Sequence, residues 1–251
     1  MDAIAVKLER LKREAQKEWK RKWRKKLREA APATAAEWRA LAAAILGAVL
    51  RVALIIALPF LVLVRGSVFF YQNGGTPVWL SVFTAAILTG GVITAYAVWL
   101  ARKLMRRGVR GGRALVMPVA KWVALPLVVF YCGYSLLYLA SVNAKTAPVR
   151  AYYRSVHPLL RLALSTAILV DRDILITDTG RVPEDYGRMG LPTNSRTGHY
   201  KQKDGWIHAV DLRTTGRGAI KNRGLQFYFW LMGFETKRHV GTADHLHVEL
   251  N

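Results

Sequence analysis

The chain ends in the run Asp244-His245-Leu246-His247-Val248-Glu249-Leu250, in which polar and apolar side chains alternate. A period of two is typical of a β-strand with one buried face, so the run predicts a strand with both imidazoles on one side and its apolar residues against a core. Five of the six histidines of the chain lie in the last 53 residues. Imidazoles beside a carboxylate are the ligands of catalytic zinc sites, which makes this end of the chain the first candidate for chemistry.

Charge and hydrophobicity are segregated along the 251 residues, which together carry a net charge of +22. Residues 1–30 contain 12 lysines and arginines against five acids, residues 40–141 are mostly apolar, and residues 142–251 have an ordinary soluble composition. A strongly basic balance is typical of proteins that bind nucleic acid or anionic membranes. Because apolar runs adjoin the basic blocks, the sequence favours a membrane and predicts no nucleic-acid partner.

Three apolar runs are long enough to cross the roughly 30 Å hydrocarbon core of a bilayer, which takes about 20 helical residues. They are Leu41–Val64, Val78–Ala101 and Ala114–Ala140. The sequence therefore predicts three domains: a basic helical segment over residues 1–40, three transmembrane helices over residues 41–141, and a small domain over residues 142–251.

The loops between these runs predict an orientation. Arg102–Arg113 carries six basic residues and no acid, whereas the loop Arg65–Thr76 carries a single charge. The positive-inside rule then places residues 1–40 and 102–113 in the cytoplasm and everything after residue 141 on the other side of the membrane.

Residues 4–28 are predicted to form a basic amphipathic helix. Apolar residues, Trp19 and Trp23 among them, recur at steps of three and four between lysines and arginines. Tryptophan on a basic helix suits the headgroup region of an anionic membrane, so lipid is the expected partner of this segment, with a protein partner as the alternative.

The last 110 residues predict an α+β domain with a small, mostly antiparallel sheet, attached to the multi-pass helical membrane region. Its expected elements are a juxtamembrane helix over residues 142–166, strands over Ala167–Val170, Ile174–Thr177 and Trp206–Leu212, a helix over Ile220–Gly233, and strands over Thr236–Val240 and His245–Leu250.

The segment from Ile174 to Leu250 resembles the zinc D,D-peptidases of the lysostaphin/D-Ala-D-Ala metallopeptidase/hedgehog group. The resemblance rests on four motifs in order along the chain: Ile176–Arg181, Thr197-Gly198-His199, Ala209-Val210-Asp211 and Asp244–His247. It covers under a third of the chain and does not extend to the apolar runs. It implies Zn²⁺ bound by His199, Asp211 and His247, with Asp244 as the general base.

Two further roles follow from the resemblance and from the chemistry of the residues. Arg181 would clamp a substrate carboxylate, and His245, which shares a face with His247, would stabilise the tetrahedral intermediate or hold a metal ligand. The chain departs from the group in one spacing. Members commonly have seven residues' distance between the first histidine and the aspartate, whereas His199 precedes Asp211 by twelve. A polar insertion, Tyr200–Gly205, fills the difference, and His208 is the alternative first ligand.

The resemblance and the predicted orientation together imply a zinc metallopeptidase anchored in the bacterial inner (cytoplasmic) membrane. Its periplasmic domain would hydrolyse a peptide bond next to a D-amino acid in peptidoglycan, as a carboxypeptidase or as an endopeptidase. The alternative is a catalytically inactive domain that serves as a binding or structural subunit, with membrane-protein partners along the three spans.

Overall fold

The computed structural model describes residues 2–30, 34–106, 116–188, 197–241 and 244–251, together with residues 114, 190 and 192. The chain divides into two compact units, residues 1–55 and 56–251. Most of the predicted basic loop Arg102–Arg113 lies outside the described residues.

The first unit consists of helix α1 (Asp2–Ala30) and the beginning of helix α2 (Ala35–Gly74). Helix α1 confirms the helix predicted over residues 4–28, and the side chains of Trp19 and Trp23 are about half exposed on it. Helix α2 begins with a capping box: Glu37 N–H donates to Thr34 Oγ1 at 3.2 Å, and Thr34 N–H donates to the Glu37 carboxylate at 3.0 Å. The reciprocal bonds satisfy two backbone donors and fix the start of the helix.

The predicted apolar runs are helical, and three helical stretches are long and apolar enough to cross a membrane. They are α2, α3 (Val78–Met105) and a third stretch, Val116–Leu137. The third consists of α4 (Val116–Val119), a π-helical turn (Ala120–Ala124) and α5 (Leu125–Leu137). Pro126 at the start of α5 has no backbone N–H to donate to the preceding turn, which is a recognised cause of such an irregularity in a helix.

Between the apolar helices and the sheet lie the short helix α6 (Ala147–Tyr152) and helix α7 (Pro158–Val170). The predicted strand Ala167–Val170 is wrong, because α7 continues through it. Ten consecutive residues of α7, from Pro158 to Ala167, are buried. The last four residues of α7, Ala167–Val170, are a short run of apolar residues, and periodicity alone cannot distinguish such a run from a strand.

The rest of the second unit is an antiparallel sheet with one long helix, as predicted, but the sheet has four strands instead of the five expected. The strand order is β1-β2-β4-β3. The elements are β1 (Ile176–Asp178), α8 (Pro183–Arg188), β2 (Ala209–Arg213), α9 (Ala219–Met232), β3 (Glu235–His239) and β4 (His245–Glu249). Gly233 ends α9 in the left-handed conformation at φ 96°, where a glycine avoids the strain of a Cβ.

Within residues 56–251 the apolar helices and the sheet share one hydrophobic core. Val64 and Val68 of α2 belong to the same buried cluster as Leu164 of α7 and Val248 of β4. Polar contacts reinforce the packing, since the Gln72 amide donates to the backbone carbonyls of Gly233 and Asn251, each at 3.2 Å. The sheet is therefore packed directly against the helices.

Shortening a buried side chain of α7 should destabilise the whole unit. We expect Leu164→Ala to lower the free energy of unfolding by about 2–5 kcal/mol, the range for a Leu→Ala cavity in a core. Leu169→Ala in the same helix is the matched control, because that side chain is 56% exposed. Thermal unfolding of the full chain in detergent measures both, and equal effects would contradict the central position of α7.

Candidate metal centre

One face of the sheet carries a three-by-three array of side chains, because β2, β4 and β3 pair in register. The three rows across the strands are Asp211–His247–Lys237, Arg213–His245–His239 and Ala209–Glu249–Glu235. The opposite face directs Val210, Leu212, Leu246 and Val248 into the core. The predicted alternation in the last strand is thus confirmed, and it brings the histidines opposite Asp211.

Three imidazoles surround one oxygen of the buried Asp211 carboxylate. Asp211 Oδ1 lies 2.9 Å from His247 Nδ1, 3.3 Å from His199 Nε2 and 3.6 Å from His245 Nε2. Burial alone would raise the pKa of Asp211, but His199 and His247 lower it by more, so the carboxylate is ionised throughout the physiological range. A buried negative charge with imidazoles on one side is a suitable place for a cation.

The tautomer of His199 supports the same conclusion. Its Nδ1 lies 2.6 Å from the carbonyl oxygen of Thr179, which can only accept, so Nδ1 carries the proton. If the ring is neutral, Nε2 presents a lone pair to Asp211 at 3.3 Å, so a proton or a metal ion must lie between the two atoms. This buried nitrogen has no hydrogen-bond partner in the described part of the chain. A backbone carbonyl that fixes the far nitrogen of a histidine is the usual support of a metal ligand.

The distances around Asp211 fit a tetrahedral zinc site. Zinc–nitrogen and zinc–oxygen bonds of about 2.1 Å place neighbouring ligand atoms about 3.4 Å apart. The corresponding separations are 3.3 Å from His199 and 2.9 Å from His247 to Asp211 Oδ1. His199, Asp211 and His247 have ligand atoms that all lie within 4.8 Å of one another. The structure thus brings together the three residues that the resemblance implies as metal ligands.

The alternative first ligand, His208, belongs elsewhere. Its Nε2 lies 2.8 Å from Asp204, and its ring packs against His157 at 4.8 Å between centroids. The backbone places the two histidines on different faces of the sheet. His199 follows the turn at Gly198 and lies over the polar face. His208 precedes β2 and, by strand alternation, points to the face opposite Asp211.

Arg181 holds the site together instead of projecting freely into it. Its Nη2 donates to Asp211 Oδ2 at 2.9 Å and its Nε donates to Asp178 Oδ2 at 2.7 Å. Its backbone N–H donates to the His199 carbonyl at 3.0 Å. With both carboxylates engaged, Arg181 orients Asp211, a role different from the predicted clamp on substrate.

Asp244 also differs from the prediction. Arg238 Nη2 donates to its carboxylate at 3.0 Å and the Thr214 hydroxyl donates to it at 2.6 Å. These bonds, which lower the pKa of Asp244, tie the side chain to β3 and to the turn after β2. Asp244 still lines the same cavity, but its described bonds are to these groups and not to the three histidines.

The carboxylate that faces the histidines is Glu249, which the sequence interpretation missed. Its Oε2 lies 3.2 Å from His247 Nε2, and a Cβ at Gly198 would collide with the same carboxylate. The bond with His247 is the main cause of the lowered pKa of Glu249. Its position two residues after His247 could have identified it, because alternate residues of a strand share a face.

An open cavity of about 1170 Å³ lies over this face of the sheet. Besides the site residues its lining includes three cations, Lys145, Arg213 and Lys237. None of the three forms an ion pair with any described residue, so they are available to a ligand. The size of the cavity and its three cations without ion pairs suit an extended ligand that carries a carboxylate, such as a peptide with a free carboxyl end.

Comparison with protein-family models, with curated proteins and with solved structures found no significant match to this chain. The resemblance to zinc D,D-peptidases therefore remains a hypothesis that rests on the motifs and on the geometry of the site.

Zinc should bind more tightly as the pH rises to about 9. Burial alone would lower the pKa of His247, but hydrogen bonds with Asp211 and Glu249 raise it to about 9 in the metal-free protein. Because only the neutral ring binds zinc, we expect the apparent affinity to rise about tenfold or more per pH unit below that value and then to level. Titration of the full chain with zinc against a competing chelator measures this.

The proton on His247 has the opposite effect on the stability of the metal-free fold, which falls as the pH rises. A raised pKa stabilises the folded state below the ordinary value of 6.5, and this contribution is lost as the pH rises through about 9. Glu249→Gln removes one of the two carboxylates that raise the pKa of His247. It should therefore shift to lower pH both the levelling of the zinc affinity and the loss of stability. Zinc affinity that did not vary with pH would contradict the assignment of His247 as a ligand.

Proposed function

We propose that this protein is a membrane-anchored zinc peptidase that hydrolyses a peptide bond next to a D-amino acid in the stem peptides of peptidoglycan. The observation that carries the proposal is the convergence of His199, His245 and His247 on one oxygen of the buried Asp211 carboxylate. The four motifs of the resemblance meet in one cavity, although they are separated by up to 71 residues in the sequence from Ile176 to His247.

The chain would hold the metal through His199, Asp211 and His247. Zinc, when bound, supplies a Lewis acid for the scissile carbonyl and lowers the pKa of a bound water to about 7. The residues around it orient these ligands: Thr179 fixes the ring of His199, Arg181 fixes Asp211, and Glu249 fixes His247. His245 is placed to donate to an oxyanion, because it lies on the same face one step along the strand.

Glu249 is our candidate for the group that accepts a proton from the attacking water and passes it to the leaving amine. Its Oε2 holds the far nitrogen of His247, which leaves Oε1, beside Gly198, as the oxygen available to water. The carboxylate borders the cavity and is ionised near neutral pH. A carboxylate in this position can act in both directions of proton transfer.

The cations of the cavity are candidates for the substrate clamp. Arg213 pairs across the strands with His245, and Lys237 pairs with His247, so both flank the histidines on the same face. A carboxylate held there would lie near the metal ligands. This geometry favours cleavage close to a free carboxyl end of a peptide.

The test of the base is a comparison of two isosteric variants in the full-length protein. With purified peptidoglycan stem peptides as substrate, we expect Glu249→Gln to lower kcat at least about 100-fold while it keeps bound zinc. Asp244→Asn should lower kcat much less, because that carboxylate is bound to Arg238 and Thr214. Metal analysis of both variants accompanies the assay. A larger loss of kcat in Asp244→Asn than in Glu249→Gln would identify Asp244 as the base. No hydrolysis by the wild type would contradict the proposed peptidase activity.

The proposed location is the bacterial inner membrane, with the N-terminus in the cytoplasm and the sheet domain in the periplasm. Three long apolar helices and the basic blocks beside them support it. In a Cys132→Ser background, we expect Lys203→Cys to react with a membrane-impermeant thiol reagent in intact spheroplasts. Lys17→Cys should react only after the membrane is opened, and the opposite pattern would invert the orientation.

A non-catalytic subunit is the second candidate. The observation that favours it is the core shared between α2, α7 and β4, since a peptidase domain needs only one helix as an anchor. A protein of this kind would bind zinc at the same three ligands and would bind wall peptides without turnover. The same assay distinguishes the two candidates when substrate binding is measured beside hydrolysis.

A further inference from the structure

A second group of metal-ligand side chains lies outside the cavity, and neither the resemblance nor the proposed function uses it. It consists of His157, Asp204 and His208, whose ligand atoms all lie within 4.8 Å of one another. His208 Nε2 is 2.8 Å from Asp204 Oδ2, and His157 Nε2 is 3.8 Å from the same oxygen. We propose that these three side chains bind a second divalent transition-metal ion, with zinc as its natural candidate.

The tautomer of His208 requires a cation beside Asp204. Nδ1 of His208 lies 3.1 Å from the carbonyl oxygen of Leu250, an acceptor only, so this nitrogen carries a proton. The neutral ring would then turn the lone pair of Nε2 toward an ionised carboxylate at 2.8 Å. Two acceptors at this distance repel each other unless a proton or a metal ion lies between them.

His157 is the observation that favours a metal ion over a shared proton. The side chain is completely buried, and its Nε2 has no hydrogen-bond partner among the described residues. A proton shared by His208 and Asp204 would satisfy those two groups and leave Nε2 of His157 unpaired in the core, at a cost of about 1–3 kcal/mol. A metal ion bound to all three side chains would satisfy them together. It would move the proton of the neutral His157 ring to Nδ1, in place of the 3.3 Å contact in which that nitrogen accepts from the Leu159 amide at the start of α7.

The backbone builds this second site independently of the first. The amide of His157 donates to the Ile207 carbonyl at 2.8 Å, and the Ile207 amide donates to Ser155 at 2.9 Å, which sets the two histidines side by side. Asp204 is positioned by its other oxygen, Oδ1, which accepts from the Trp206 amide at 3.0 Å. Oδ2 is thereby directed at the histidines.

The second site explains the unusual spacing between His199 and Asp211. The extra residues form a tight turn, Gln202–Trp206, closed by the bond from the Gln202 amide to the Trp206 carbonyl at 2.8 Å. This insertion supplies Asp204. A metal there would fasten the segment that carries His199 to the start of α7, so the ion would act structurally and not in the reaction.

Metal binding in a background without the first site tests the proposal on the full-length protein, purified without a polyhistidine tag. After chelator treatment we expect the wild type to bind two zinc ions per chain and His247→Ala to bind one. Adding Asp204→Asn to His247→Ala should remove the remaining ion. The amide keeps the acceptor for Trp206 and can donate to His208, so the fold should survive.

The control is Asp173→Asn, an exposed carboxylate paired with Lys221 at 2.9 Å, which should leave the stoichiometry unchanged. If His247→Ala binds no zinc, or if its ion persists in the double variant, the second site is wrong. Should His247→Ala fail to fold, His199→Ala provides the same background. Because the readout is zinc in a chain without the first site, its failure is distinct from a failure of the peptidase.

Discussion

The negative charge of Asp211 is the constraint on which the polar face of this domain depends. A carboxylate buried in the centre of a sheet is stable only when cations or hydrogen-bond donors surround it. Arg181 provides one of these contacts from outside the sheet, and His247 provides another from the neighbouring strand. The same pair of contacts fixes the distance between β1, β2 and β4 at the point where the predicted ligands meet.

Much of the fold could be predicted from the sequence, because its strongest patterns are local. The apolar helices, α1, α9 and the last two strands follow from periodicity and length. Helix α7 was predicted incorrectly at its end, because its last four residues are all apolar and carry no periodic signal. The packing of the sheet against α2 could not be predicted at all, since a core shared by distant segments leaves no trace in the spacing of either.

The candidate site could likewise be predicted only in part from the sequence. The trio of His199, Asp211 and His247 could be inferred from the order of motifs, and strand alternation then accounts for two of its members. The environment of each group could not. Arg181 and Asp244 both have suitable chemistry for the roles expected of them, but their contacts with Asp178 and Arg238 direct them elsewhere. Glu249 lies 3.2 Å from His247, a position that the alternation of the last strand could have indicated.

The direct packing of the sheet on the apolar helices has a geometric consequence for the proposed function. Gln72 at the end of α2 is bonded to the backbone at Gly233 and Asn251, so no flexible tether separates the domain from the bilayer that would surround the helices. The cavity would then stay at a constant height above the lipid. Under the proposed function, its reach would be limited to the part of the wall that lies next to the membrane.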